Sequence, residues 1–472
     1  MKKLLTFALS AVVLLCANGL YFDRLIKVTF FTDLAEWEIS KAQYTADGET
    51  QTTKIMMKGG GRGMIRIYAD TLSSLKFELP AGKKLTSLKL EGRKKIFPVI
   101  KDGYAFQGLD VQGKKHFNLK FFLLFAFMVY GSVYTVVTRN RLYDETVPKL
   151  KNVEFLRLIF TLGIVAHHTA LNGNLQFFNE GWLGVEFFFI LSGFFLMITF
   201  KPEKSMREFA RSKAVHFIPL TLLLALFNGK IALIPANMLF LQGTGLAAAA
   251  PPQGWYLGVL FWVSLFYFYV LKVFKPEVSK PIIALITFFA YCAFKNGWSN
   301  ALLSAQLIRG LAGIGLGSFL GCFWMSVSGK IDYTGRTGWY TVAEIVFLLY
   351  SVGLMFVKSL YPANRITAVL SFAIVIVLFA LKRGKVSQFF EKPFWARISC
   401  CSFAIYMVHE NLIRDITFTI SDKCPVLAQK YAFVFVAATL ALSYLLGLLT
   451  RRYIELPAAR WLKRKTEIKK DA

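Results

Sequence analysis

Apolar runs of helical length recur along this chain between short basic or polar segments, and one long stretch near the start follows a different pattern. Residues 1–22 begin with Lys2 and Lys3 and continue as an unbroken apolar run, which predicts an N-terminal transmembrane anchor or signal-like segment. The anchor is the favoured reading. Leu15 precedes Cys16 where a lipoprotein site wants a small residue, and Ala17-Asn18-Gly19 is a weak cleavage signal. Residues 23–117 are polar and alternate with period two in MIRIYAD, SLKFELP and LTSLKLEG, punctuated by Gly59, Gly60, Gly61, Pro80, Gly82 and Gly92. That pattern predicts a small β-sandwich or barrel. Residues 118–138 predict a second transmembrane helix, and 139–152 a linker containing Arg139, Arg141, Lys149 and Lys151. Residues 153–452 read as ten further spans, near 153–171, 181–200, 212–229, 254–273, 281–296, 304–325, 339–358, 364–383, 398–419 and 430–450. A basic tail, 453–472, follows. The predicted fold class is an all-α polytopic membrane protein, a ten-helix domain plus two N-terminal transmembrane helices, with a β-rich domain between the first two spans.

Charge orients this arrangement. One set of loops carries Lys201, Lys204, Arg207, Arg211 and Lys213; Lys272, Lys275 and Lys280; Lys382, Arg383, Lys385, Lys392 and Arg397; and the tail from Arg451 to Lys470. The opposite loops hold scattered cations such as Lys230, Lys295 and Lys358. The positive-inside rule makes the first set, the linker and the tail cytoplasmic, and places residues 23–117 outside the cytoplasm. The 55% hydrophobic content with 46 Phe agrees with a membrane protein rather than a soluble enzyme. A net charge of +28 would suggest nucleic acid in a soluble domain, but here the cations flank apolar spans, so membrane lipids are expected as neighbours and nucleic acid is not. The six cysteines form no CxxC pair or ligand spacing, and no metal site is expected.

Candidate chemistry concentrates in EFLRLIFTLGIVAHH, Glu154 to His168. At ~100° per residue the eleven-residue step from Arg157 to His168 is about three turns, so both lie on one helix face, roughly 16 Å apart along the axis; Glu154 falls within roughly 40° of that stripe and His167 does not share it. Ionisable groups at membrane depth are costly and mark sites. The competing structural account is an arginine snorkelling to the headgroups and a histidine bonded between helices. His168 suits a general base, with Glu154 and Arg157 placed to orient it or to hold an anion. Arg207 and Arg211 form a basic patch on the cytoplasmic side with Arg157, suited to an anionic cofactor or simply to anionic lipid.

Further along, Glu186 is an acid in an aromatic span and needs a partner or a cavity, while Ser192 and Gly193 permit close helix approach. Arg309 precedes Gly310, Gly313, Gly315 and Gly317 in a tightly packing span. Ser402, Tyr406 and His409 follow one another at steps of four and three, hence on one helix face. Glu154, His168 and Glu186 also admit a different function, the proton relay of a transporter or flippase.

Taken in order, EFLRLIFTLGIVAHH, GVEFFFILSGFF, the Arg-rich turn to Pro219, WYLGVLFWVSLFYFY, IRGLAGIGLG, SFAIYMVH and YIELP resemble the acyltransferase 3 family, integral-membrane enzymes that O-acylate envelope glycans. The resemblance covers roughly residues 150–460, and identifies 153–452 as the acyltransferase domain. It implies transfer of an acyl group, most often acetyl, from cytoplasmic acyl-CoA to a hydroxyl of an envelope polysaccharide, a lipid-linked sugar or a related acceptor, in a bacterial inner membrane. Acyl-CoA is then a donor substrate, and no cofactor is permanently bound. The resemblance places Arg157 and His168 at the reaction centre. One departure stands out: many relatives carry an acid shortly after the tryptophan of the fourth span, where this chain is apolar around Leu260.

Overall fold

The computed structural model describes residues 2–33, 39–56, 61–79, 81–100, 102–139, 150–173, 178–249, 251–299, 303–328, 337–356, 363–424, 428 and 430–467. Arg141, Lys149, Gly59, Gly60, Pro80, Lys358 and Lys470 lie outside these residues. The helices are α1 (Lys2–Cys16), α2 (Leu119–Thr138), α3 (Lys151–Gly173), α4 (Gly184–Ile198), α5 (Met206–Phe227), α6 (Ile234–Met238), α7 (Trp255–Val273), α8 (Pro276–Lys295) and α9 (Ala305–Val327). They continue as α10 (Thr337–Gly353), α11 (Ala363–Leu381), α12 (Lys385–Phe390), α13 (Pro393–Ser399), α14 (Ser402–Leu412), α15 (Phe418–Lys423), α16 (Ala432–Thr450) and α17 (Leu456–Glu467).

Among the described residues seven helical stretches are long and apolar enough to cross a membrane: Leu119–Thr138, Gly181–Ile198, Met206–Phe227, Pro252–Val273, Pro276–Lys295, Ala305–Val327 and Ala432–Arg464. Ile366–Leu381 is a shorter apolar helix. The chain is thus a multi-pass membrane protein. The other expected spans are helical but differ for physical reasons. α1 and α10 have only 15 and 17 residues. α3 is long, at 23 residues, but carries Glu154, Arg157, His167 and His168. The expected span 398–419 is broken, since α14 passes into a π-helical turn, Ile413–Thr417.

The basic cluster before the third span was expected in a loop, and the structure corrects this. α5 begins at Met206 because Ser205 and Glu208 form a capping box: the Ser205 hydroxyl accepts from the Glu208 amide at 3.2 Å, and the Glu208 carboxylate accepts from the Ser205 amide at 3.2 Å. Arg207, Arg211 and Lys213 therefore project from a helix.

The chain divides into two compact units. The first comprises residues Met1–Asn140, Thr169–Leu175 and Asn411–Thr439. Its strands are β1 (Phe22–Thr32), β2 (Ile39–Ala46), β3 (Glu49–Met56), β4 (Arg62–Ile67), β5 (Thr71–Glu78), β6 (Leu85–Glu91), β7 (Lys95–Ile96), β8 (Ala105–Gln112) and β9 (Lys114–Phe117). They form two antiparallel sheets, β4-β1-β6-β7 with β9 also on β1, and β3-β2-β5-β8. Alternation sends Ile26, Val28, Phe30, Ile65, Ile67, Leu88 and Leu90 of one sheet into a shared core with Tyr44, Leu72, Leu75, Phe77 and Phe106 of the other. This is the sandwich that the period-two pattern predicts.

Within the same unit α15 packs against β4. Lys423 donates to the Gly19 carbonyl at 2.6 Å and pairs with Asp23 at 3.0 Å. Beside it, burial pushes the Asp422 carboxyl up from 3.8 to about 7, with Arg66 partly opposing the shift. The folded state then holds a proton that the unfolded state releases, so this group's contribution to stability falls as pH rises from about 4 to 7. Asp422→Asn should flatten that slope. Thermal unfolding of the full-length protein between pH 5 and pH 8 checks this; equal slopes for both proteins would contradict it.

The second unit contains residues Arg141–His168, Gln176–Glu410 and Leu440–Ala472. Its core joins α3, α4 and α11 through Leu156, Phe160, Phe187, Ile190, Phe194, Phe372 and Phe379. α4 and α9 pack backbone to backbone. A Cβ on Gly193 would meet the Ile314 carbonyl, and one on Gly317 would meet the Ile190 carbonyl and the Phe194 amide. Small residues allow such approach in lipid, where packing rather than hydrophobicity joins helices. Gly317→Val should cost about 1–3 kcal/mol through overpacking. Gly338→Val, at a glycine with nothing within 4 Å, should be near neutral when both are compared by thermal unfolding in detergent.

Candidate active site

The start of α3 is pinned before it enters the core. Asn152 donates its side-chain amide to the carbonyls of Phe379 at 2.7 Å and Ser387 at 3.2 Å, and its backbone amide to Glu391 at 3.3 Å. Glu391 is held in turn by Lys382 at 2.6 Å. Phe155 stacks on Phe390 with centroids 3.9 Å apart. These contacts fix the rotation of α3, and with it the directions of Arg157 and His168.

His168 Nδ1 lies 3.2 Å from Glu410 Oε1, contributed by α14. The side chains are 34% and 26% exposed, so the pair is not sealed in the helix core. The His168 ring stands 5.2 Å from the ring of His409, whose Nδ1 lies 2.6 Å from the Tyr406 carbonyl. A carbonyl only accepts, so Nδ1 of His409 carries the hydrogen and Nε2 holds a lone pair. That Nε2 is buried without a hydrogen-bond partner. The Tyr406 hydroxyl donates to the Gln253 carbonyl at 3.1 Å, and the Gln253 amide donates to the Met407 carbonyl. His167 turns away, its Nδ1 2.7 Å from the Phe178 carbonyl and its side chain against Gly181.

Glu154 was expected to help orient His168. It instead pairs with Arg157 at 3.2 Å, because a three-residue step on one helix favours that contact. The carboxylate on His168 is Glu410, which the sequence reading did not single out. It was within reach of the same rule that selected Glu186, an acid inside an apolar span. The Arg157 guanidinium lies 5.2 Å from the Phe195 ring centroid, and its Nε is buried without a partner. Lys204 and Lys213 place their ammonium groups 5.5 and 5.3 Å from the Phe209 ring. Of the two arginines expected to bind an anion, Arg207 is exposed and Arg211 half-buried.

A second polar cluster joins α4, α7 and α9. Glu186, 4% exposed, accepts from Arg309 Nε at 2.5 Å. The guanidinium lies 5.3 Å from the Trp182 ring and 5.2 Å from that of Trp255. Its Nη2 is buried without a partner. Glu186 thus finds the partner its burial demands, and Trp182 and Trp255 are members that periodicity alone did not mark. Ser192 donates to the Phe188 carbonyl at 2.7 Å and also hydrogen-bonds the Tyr256 side chain. Ser402 likewise donates to the Ser399 carbonyl at 2.7 Å. The relay of Glu154, His168 and Glu186 is not assembled: Glu154 is paired with Arg157, Glu186 with Arg309, and His168 with Glu410.

A histidine with one nitrogen held by a carboxylate and its ring accessible has the form of a general base. The buried arginine between two indoles offers directed N–H donors beside aromatic faces.

Comparison with family models matches residues 150–448, well over half of the chain and running from α3 into α16, to a family described as an acyltransferase domain. No curated protein and no solved structure matches the chain.

Proposed function

Since the chain belongs to the acyltransferase 3 family, we propose that it moves an acyl group, acetyl in the first instance, from cytoplasmic acyl-CoA to a hydroxyl of an envelope glycan or lipid-linked sugar. The observation that carries this reading is the His168–Glu410 pair, 3.2 Å apart and only partly buried within an apolar domain. Glu410 accepts the Nδ1 hydrogen of His168, which leaves the Nε2 lone pair to take the proton of the acceptor hydroxyl as its oxygen attacks the acyl carbonyl. Collapse of the tetrahedral adduct breaks the carbon–sulfur bond. The departing thiolate recovers the proton from His168, so the enzyme is regenerated as it began. A relay through a transient acyl-histidine is the two-step form of the same chemistry.

Arg157, Lys204 and Lys213, with Arg211, supply positive charge for the donor's phosphates. The roughly 16 Å between Arg157 and His168 along α3 suits an extended pantetheine arm. Trp182 and Trp255, with the Arg309 N–H between them, provide the aromatic faces and donor that a sugar acceptor needs. In this reading ten spans follow the two N-terminal helices in a bacterial inner membrane, with the β-sandwich outside the cytoplasm, as the charge bias of the loops supports.

Membrane vesicles given radiolabelled acetyl-CoA test the proposal. Base-labile label on envelope glycans or lipids should exceed that of vesicles lacking the protein. Absence of any excess, with acetyl or longer donors, would overturn it; export of an unmodified substrate driven by the proton gradient would replace it with the transporter reading.

A further inference from the structure

We propose that His168, His409 and Glu410 form a binding site for zinc or a similar divalent transition metal, and that its occupancy blocks transfer. The three residues come from α3 and α14, and one ligand atom of each lies within 4.8 Å of the others. Tetrahedral zinc with bonds of about 2.0–2.1 Å holds its ligands roughly 3.3 Å apart. The His168 Nδ1 to Glu410 Oε1 distance, 3.2 Å, already has that spacing. The three ligand atoms, all within 4.8 Å of one another, need only a modest contraction to reach it.

His409 is prepared for this. Its Nδ1 hydrogen is committed to the Tyr406 carbonyl at 2.6 Å, the outer contact that fixes the tautomer and ring of a metal-bound histidine. Tyr406 is itself held on Gln253. The Nε2 lone pair is left in a fully buried residue with no donor to meet it, a costly arrangement that a cation would relieve. Two imidazoles and one carboxylate are the N/O donor set of zinc, and leave a fourth position for water. The partial exposure of His168 and Glu410 leaves one side of the ligand set uncovered by protein. Sequence spacing could not signal the site, because His168 and Glu410 are far apart in the chain and no ligand motif contains both.

On binding, the metal takes the place of the hydrogen between His168 Nδ1 and Glu410 Oε1, and the ring's one hydrogen moves to Nε2, so the imidazole stays neutral but its proton-accepting lone pair is gone. The base and the carboxylate that orients it are then both engaged. This second half rests on the proposed acyl transfer; the binding itself does not.

Purified full-length protein in detergent, stripped with chelator and titrated with cobalt(II) chloride, tests the site through the visible ligand-field absorption of bound cobalt. Wild type should bind one equivalent, displaced by zinc chloride, and His409→Ala and Glu410→Gln should each weaken binding at least about tenfold. Zinc should raise the unfolding temperature of wild type and not of either variant, which also shows whether the variants fold. A Cys400→Ser/Cys401→Ser protein should bind as wild type does. No cobalt signal in wild type, a signal unchanged in both variants, or loss confined to the cysteine protein would overturn the site. With the site occupied, transfer of labelled acetyl should stop; undiminished or faster transfer at saturating zinc would overturn the block. Cobalt binding in a protein that transfers nothing would count against the acyl-transfer reading and leave the site standing.

Discussion

His168→Ala protein, present in the membrane at the wild-type level, should transfer acyl groups roughly 10²–10⁴-fold more slowly, the contribution of a positioned general base. The substitution leaves the acceptor hydroxyl with no group to take its proton and Glu410 with nothing to orient. It should act on kcat, with little change in KM for acyl-CoA, because the cations assigned to the donor's phosphates lie elsewhere, on α3, on α5 and in the turn before α5. His167→Ala is the informative neighbour. His167 is 6% exposed, bonded to the Phe178 carbonyl and packed on Gly181. Its loss should lower stability more than the rate of the remaining folded enzyme. Initial rates normalised to folded protein separate the two outcomes.

The largest effect on stability should come from splitting Glu186 and Arg309. Removing one member of a buried ion pair typically costs about 3–5 kcal/mol, because the other charge stays behind without compensation. Here Glu186 is 4% exposed and Arg309 15%. Glu186→Ala would strand a guanidinium between two indoles, and Arg309→Ala would strand a buried carboxylate near Tyr291. The double variant should lose less than the sum of the singles, since it leaves no unpaired charge. Thermal unfolding in detergent measures all three, with exposed Arg207→Ala expected to be near neutral.

Much of the scaffold was legible because a bilayer and a sandwich core each impose one strong period. Long apolar runs located α2, α4, α7, α8, α9 and α16, and alternation located β4, β5 and β6. What escaped depends on local geometry or distant pairing. The early start of α5 lies in a capping box, Ser205 with Glu208, that was readable but hidden within a basic cluster. The π-helical turns at Ile413–Thr417 and Arg451–Glu455 have no periodic signature. At the site, Arg157, His168, Glu186, Arg309, Tyr406 and His409 stood out because each places a polar or ionisable group in apolar surroundings. Their partnerships did not. Glu154 and Glu410 were both available carboxylates, and helix spacing assigns the first to Arg157, whereas only tertiary packing brings the second to His168.

The most direct test of the account is a double-mutant cycle on His168 and Glu410, read as the rate of labelled acetyl transfer by equal amounts of folded protein. If Glu410 acts by holding the His168 ring, Glu410→Gln should slow wild type strongly and change the residual rate of His168→Ala little, so the double variant matches the single. Full additivity of the two losses would contradict a shared role and break the assignment of His168 as the carboxylate-oriented base.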